Sequence, residues 1–108
     1  MIEGIKVEIM PERIREHCRA RATYHRERST YYAQEAESMR EKEDALYRDW
    51  DPNVTRPQRQ SEQNETRARQ HEGTAQWFDV IAEYVIHTDV YRFTNEDLVK
   101  LEFITTRI

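Results

Sequence analysis

Residues 11–50 read PERIREHCRARATYHRERSTYYAQEAESMREKEDALYRDW, and this stretch decides the fold. After Pro11 it contains no proline, no glycine and few β-branched residues, so nothing in it interrupts a helix. Proline suits the first turn of a helix, and Glu12 suits the positive end of the helix dipole. Residues 51–56 begin with Asp-Pro-Asn, which is typical of a turn. The sequence therefore predicts a first helix over residues 11–50 and a turn over residues 51–56.

A heptad pattern follows one face of this first helix. Mostly small and apolar residues recur at steps of four and three, as in helices that pack along a partner. The pattern is imperfect, because His25, Ser29 and Glu43 also occupy it. We call this face the first seam, and it comprises Ile14, Cys18, Ala22, His25, Ser29, Tyr32, Ala36, Met39, Glu43, Leu46 and Trp50. A helix this long is about three times the average length, so it needs a partner over most of its length.

A second helix is predicted over residues 57–87, with Pro57 at its start. The same alternation of steps gives this helix a second seam, which is polar in its first half and apolar in its second half. The second seam comprises Ser61, Asn64, Ala68, His71, Ala75, Phe78, Ala82 and Val85. Further apolar residues beside it predict burial on more than one face: Trp77, Val80, Ile81, Tyr84 and Ile86.

Charge predicts how the two helices lie. The first half of helix 1 is basic and its second half acidic, whereas helix 2 begins mildly basic and ends acidic. Folding the chain at the turn therefore brings opposite charges together, which favours an antiparallel hairpin. In the register that a tight turn implies, His17 lies near His87, and His25 lies near Asp79. The same register places His71 well away from the other three histidines.

The two ends of the chain are predicted to close the hairpin. Residues 1–10 alternate between apolar and polar side chains, which is typical of an extended strand-like arm. The arm has three possible states: pairing with a symmetry mate, pairing with residues 103–108, or remaining unpaired. Residues 94–103 predict a short third helix, because Thr94 and Asp97 resemble a capping box. We expect this helix to lie at the open end of the hairpin, near Ile14 and Cys18.

The composition favours oligomerisation. The 108 residues are 37% hydrophobic and 35% charged, so a single copy buries only a thin core. The predicted fold class is all-α: one domain over residues 1–108, a long antiparallel helical hairpin with a short C-terminal helix, dimerising into a four-helix coiled-coil bundle. The residues predicted to form the core and the dimer seam are Tyr32, Met39, Leu46, Trp50, Phe78 and Val85.

Charge and cysteine content exclude several classes of function. A net charge of −4 gives no general support for binding nucleic acid or an anionic membrane. No apolar run approaches the ~20 residues of a membrane span, and the N-terminus lacks a signal pattern. With Cys18 as its one cysteine, the chain forms no internal disulfide. The sequence therefore predicts a cytoplasmic protein without a membrane partner.

Histidines and arginines suggest two kinds of binding site. In the predicted register His17, His87 and Asp89 converge as a candidate zinc or iron site, although the Glu-x-x-His motif of di-metal bundles is absent. A phosphate or carboxylate site is a second hypothesis, because arginine and histidine cluster around tyrosine. Its candidate residues are His17, Arg21, Tyr24, His25 and Arg28. The alternative is that these arginines pair with Glu83 and Asp79 across the hairpin.

The remaining signals favour a role without catalysis. Cys18 and His17 are neighbours on a helix and point apart, so they form no catalytic dyad. No glycine-rich phosphate loop occurs. We therefore expect a small helical interaction, scaffold or regulatory protein that acts as a homodimer and needs no cofactor. One alternative is a metal- or small-anion-binding bundle. A second is nucleic-acid binding through Arg13, Arg15, Arg19, Arg26 and Arg28, which the nearby acidic residues disfavour.

Overall fold

The computed structural model describes residues 6–51, 53–54, 59–85 and 90–104. The elements, in chain order, are β1 (Val7–Ile9), α1 (Pro11–Tyr47), α2 (Gln60–Tyr84), β2 (Tyr91–Phe93) and α3 (Asn95–Lys100). The two long helices pack against each other, which confirms the predicted helical hairpin. Helix α1 begins at Pro11 as predicted and ends three residues before Trp50. Among the described residues, no helix is both long enough and apolar enough to span a bilayer.

The chain divides into two compact units, each containing part of both long helices. We call Met1–Tyr24 with Thr74–Ile108 the terminal unit, and His25–Gly73 the turn unit. Each unit has its own packing, which follows from the residues on its part of the two seams.

The terminal unit contains an apolar core. Leu98 of helix α3 and its C-cap residue Leu101 share this core with Ile14 and Cys18, as predicted. Phe78 is fully buried, and burying a side chain of this size contributes about 1.5–3 kcal/mol. The buried cluster comprises Ile9, Ile14, Cys18, Ala22, Ala75, Phe78, Ala82, Val85, Leu98 and Leu101. The core therefore joins both seams to the short third helix.

The N-terminal segment is a strand rather than an unpaired arm. Strand β1 pairs antiparallel with β2, with Val7 opposite Phe93 and Ile9 opposite Tyr91. Among the three predicted states, an unpaired arm is therefore wrong, and the partner found for β1 is β2. Pairing with a symmetry mate stays a prediction, and residues 105–108 of the predicted tail lie outside the described residues. The physical reason is that residues 91–93 alternate as β1 does, so pairing satisfies backbone groups that a lone strand leaves unpaired.

Helix α3 is held by caps at both ends. The Thr94 hydroxyl accepts from the Asp97 amide, and the Asp97 carboxylate accepts from the Thr94 amide, which completes the predicted capping box. At the other end the Phe103 amide donates to the Leu98 carbonyl over 2.9 Å. This reversal requires a positive φ, which Glu102 adopts at 59°. The predicted helix over 94–103 is therefore shorter, because the chain turns at residues 101–103.

The turn unit is held largely by polar contacts. Ser61 is 1% exposed and donates both its amide and its hydroxyl to the Glu43 carboxylate, over 3.0 and 2.6 Å. These bonds satisfy a backbone donor in the first turn of α2, where no intrahelical acceptor exists. The Ser29 hydroxyl donates to the Ala68 carbonyl over 2.8 Å. The weak apolar content of this part of the second seam is thus offset by hydrogen bonds between the helices.

Candidate functional site

His17 is fixed by the end of α3 in the terminal unit. Its Nε2 lies 2.6 Å from the carbonyl oxygen of Leu101, so this nitrogen carries the proton and donates. The ring also stacks on Phe103, with centroids 3.6 Å apart. The predicted metal partners His87 and Asp89 lie outside the described residues. In this state the Nε2 of His17 offers no lone pair to a metal ion, because the atom is already a hydrogen-bond donor.

Arg21 forms an ion pair with Glu102. Its Nε donates to Glu102 over 2.7 Å, and its guanidinium lies 4.3 Å from the ring centroid of Tyr24. The expected partners were Glu83 and Asp79. This expectation was wrong for Arg21, because Glu102 follows α3 into the terminal unit and reaches the same side of α1.

Two histidines meet in the turn unit. The Nδ1 atoms of His25 and His71 lie 2.8 Å apart, and the His25 side chain is buried in the seam. The prediction that His71 lies far from the other histidines is therefore wrong, as is the placement of His25 beside Asp79. The observed partner lies eight residues from the expected one, which is about two helical turns. We call His25 and His71 the histidine pair.

Aromatic and cationic side chains surround the histidine pair. The ring of Tyr32 stacks on His71 with an interplanar angle of 12° and centroids 5.6 Å apart. Arg28 donates to the Tyr32 hydroxyl over 3.0 Å. The guanidinium carbons of Arg28 and Arg67 lie 5.0 and 5.7 Å from the Tyr32 ring centroid. Tyr32 thus connects His71 to two guanidinium groups.

The five residues of the predicted anion site fall in different units. His17, Arg21 and Tyr24 belong to the terminal unit, whereas His25 and Arg28 belong to the turn unit. Within each unit they contact the partners described above. In the part of the chain that the structure describes, no three histidine, cysteine or carboxylate side chains are grouped as ligands for one metal ion.

Several of the arginines considered for nucleic-acid binding make contacts within the chain. Arg15 donates to backbone carbonyls at the C-terminal end of α2, over 3.1 and 2.8 Å. Arg26 lies 3.9 Å from Glu72, and Arg28 bonds the hydroxyl of Tyr32. Three of the five arginines therefore have partners within the chain, and nucleic-acid binding stays a prediction.

One face of α2 carries exposed apolar side chains. Trp77, Val80 and Tyr84 are 45%, 51% and 75% exposed and follow one another at steps of three and four. We call these three residues the α2 stripe, and all of them belong to the terminal unit. The sequence predicted burial here, but all three side chains are at least 45% exposed in the part of the chain that the structure describes. Packing within the chain covers Phe78 and the adjacent second seam instead.

The residues predicted for the core and dimer seam differ in exposure. Phe78 and Val85 are buried in the terminal unit. Tyr32 and Met39 are half-buried in the turn unit, as is Trp50. Leu46 is 64% exposed, because α1 ends one residue after it and α2 begins only at Gln60. Leu46 therefore contributes little to packing within one chain.

Comparison of the chain with protein-family models, with curated proteins and with solved structures found no match in any of the three.

Proposed function

We propose that this chain is a small helical interaction protein that acts as a homodimer, with the α2 stripe at the centre of the interface. The observation that supports the proposal is the stripe itself: Trp77, Val80 and Tyr84 on one face of one helix, all exposed. Exposed apolar residues are unremarkable when scattered, but a grouped face with two large aromatics is typical of an interaction surface. Tryptophan and tyrosine are also the residues most enriched among those that dominate binding energy.

A second copy is the simplest partner for this face. The stripe can pack against a second copy of itself. Trp77 and Val80 lie equally far from the midpoint between residues 78 and 79. When two copies of α2 lie antiparallel about a two-fold axis at this midpoint, Trp77 of each copy faces Val80 of the other. Both sides of a two-fold interface use the same residues, so one stripe supplies both partners. A large side chain then lies against a small one at each repeat, which allows close packing.

The exposed area sets the scale of the interface. A buried aromatic side chain contributes ~150–250 Å², so the exposed fractions of Trp77 and Tyr84 leave roughly 180–300 Å² per copy. A standard interface takes about 800 Å² from each partner. The two aromatics therefore supply roughly a quarter to a third of what a stable dimer needs, and flanking residues must supply the rest.

The test is the molar mass in solution by light scattering, across protein concentrations from about 1 to 100 μM. We expect a dimer for the natural chain and at least a roughly 30-fold weaker dimer for Trp77→Ala, which corresponds to a loss of about 2 kcal/mol. Tyr31→Ala is the matched control, because Tyr31 is an equally exposed aromatic on α1 in the turn unit. A natural chain that is monomeric at 100 μM refutes the proposal.

A further variant distinguishes the stripe from the end of α1. Leu46→Glu places a charge at the exposed leucine that the heptad pattern assigned to the dimer seam. If Leu46→Glu dissociates the dimer and Trp77→Ala does not, the interface lies at the end of α1 instead. Circular dichroism of each variant at the assay temperature shows whether the helices remain folded.

A further inference from the structure

We propose that Gly73 forms a recess for the Tyr84 ring of a second copy, and that this contact selects one antiparallel register of the two α2 helices. The inference rests on the proposed homodimer, and it names the residue that decides how the two copies align. Gly73 precedes Trp77 by one turn of α2, so it extends the face that carries the α2 stripe. Gly73, Trp77, Val80 and Tyr84 thus follow one another at steps of four, three and four along one side of the helix.

Packing within the described part of the chain does not explain a glycine at position 73. This residue lies inside α2, where glycine is less favourable than every other residue except proline. A Cβ atom added to it would meet no atom within 4 Å beyond its chain neighbours and the backbone of its own helix. The space beside Gly73 is therefore open. Contact with a second copy gives a physical reason for leaving this position without a side chain.

The positions of the four residues make two complementary layers. Gly73 and Tyr84 lie equally far from the midpoint between residues 78 and 79, as Trp77 and Val80 do. An antiparallel pair of α2 helices with its two-fold axis at this midpoint therefore sets Tyr84 of each copy against Gly73 of the other. In both layers an aromatic ring faces a smaller residue. A shift by one heptad in either direction pairs two of the four residues with each other and leaves the other two outside the set.

The exposure of Tyr84 fits this pairing. Its side chain is 75% exposed, more than that of either other residue of the α2 stripe. A ring that lies on the backbone of a glycine buries apolar surface without pushing the two helices apart. Helix axes that carry small residues at the contact approach to about 8 Å. Close approach also lets flanking side chains contribute to the ~800 Å² per copy that a stable dimer takes.

The experiment measures the dimer dissociation constant of the full chain by light scattering over a range of concentrations. Gly73→Leu fills the recess, so we expect a dimer that is weaker by roughly 30-fold or more, although leucine favours a helix more than glycine does. Ala20→Leu is the matched control, because Ala20 is an exposed small residue on α1. This control adds the same kind of side chain away from the stripe and should leave the dissociation constant unchanged.

A second substitution tests the pairing itself. Tyr84→Ala in the natural chain should weaken the dimer, because it removes the ring that fills the recess. In a chain that carries Gly73→Leu, the same substitution should instead tighten the dimer by roughly tenfold or more, since alanine makes room for the leucine of the other copy. Gly73→Ala is a milder form of the first variant. Its Cβ has open space within the chain, so it should weaken the dimer without unfolding the helix even if leucine does unfold it.

The outcomes separate this inference from the proposed function. If Trp77→Ala weakens the dimer while neither Gly73→Leu nor Gly73→Ala does, the stripe is the interface but the register is wrong, so only this inference is overturned. Additive effects of Gly73→Leu and Tyr84→Ala overturn it in the same way. A natural chain that is monomeric at about 100 μM overturns both proposals. Circular dichroism of each variant shows whether its helices remain folded.

Discussion

Replacing Glu102 by glycine separates two opposing effects just after α3. Glu102 has a φ of 59°, in the left-handed region that costs a residue with a Cβ about 1 kcal/mol or more. Its carboxylate also bonds Arg21 over 2.7 Å, with both side chains about two-thirds or more buried. Glycine removes the steric cost, but it also removes the ion pair.

The two effects are close in size. Relief of the left-handed backbone stabilises the fold by about 1 kcal/mol. Loss of a partly buried charge pair destabilises it by about 1 kcal/mol, allowing for solvent screening. We therefore expect Glu102→Gly to leave the free energy of unfolding of the natural chain nearly unchanged. In a chain that already carries Arg21→Gln the pair is absent, so the same substitution should stabilise the fold.

The measurement is thermal unfolding of the natural chain, the two single variants and the double variant, which together give the coupling energy between Arg21 and Glu102. For a domain of this size, about 1 kcal/mol of stability shifts the Tm by ~4–8 °C. The Tm of the double variant should therefore be ~4–8 °C higher than that of Arg21→Gln alone. An equal effect of Glu102→Gly in both backgrounds would show that the ion pair contributes nothing. A destabilising effect in both would show that residue 102 does not need a left-handed conformation, and the account of this turn would be wrong.

Three further predictions concern single side chains. Hydrogen bonds from Ser61 lower the pKa of Glu43 below its usual range. The ionised Glu43 side chain therefore stabilises the fold fully above the ordinary glutamate pKa, and this stabilisation is lost as the pH falls through the lowered pKa. Glu43→Gln should weaken the dependence of the free energy of unfolding in urea on pH between pH 5 and about 2. Burial raises the pKa of the Cys18 thiol to about 11, so iodoacetamide at pH 8 should react far more slowly with the folded chain than with the chain in urea. Phe78→Ala should cost about 3–5 kcal/mol in the same urea assay, because Phe78 is fully buried; a loss under about 1 kcal/mol would contradict its place in the core.

Local features of the fold were predictable from the sequence. The start of α1 at Pro11 and the capping box at Thr94 each depend on residues a few positions apart. The buried faces follow from steps of three and four, which the geometry of one helix dictates. Phe78 and Ser61 are therefore both buried at second-seam positions, although one is apolar and the other polar.

The histidine pair was not predictable in the same way. A heptad pattern repeats every seven residues, so pairings shifted by one heptad bury the same faces. His71 and Phe78 are equivalent in that pattern, so the pattern alone does not decide which of them faces His25. Strand β2 was missed for a different reason, because three alternating residues are too few to distinguish a strand from a turn.

The bonds between Glu43 and Ser61 have a consequence for how the helices align. Sliding α2 along α1 by one heptad would leave the buried hydroxyl and amide of Ser61 without their acceptor, at a cost of about 1–3 kcal/mol for each unsatisfied group. Apolar residues alone would tolerate such slippage, since they bind whichever neighbour is near. The bonds of Ser61 thus favour one register of the two helices over registers shifted by a heptad.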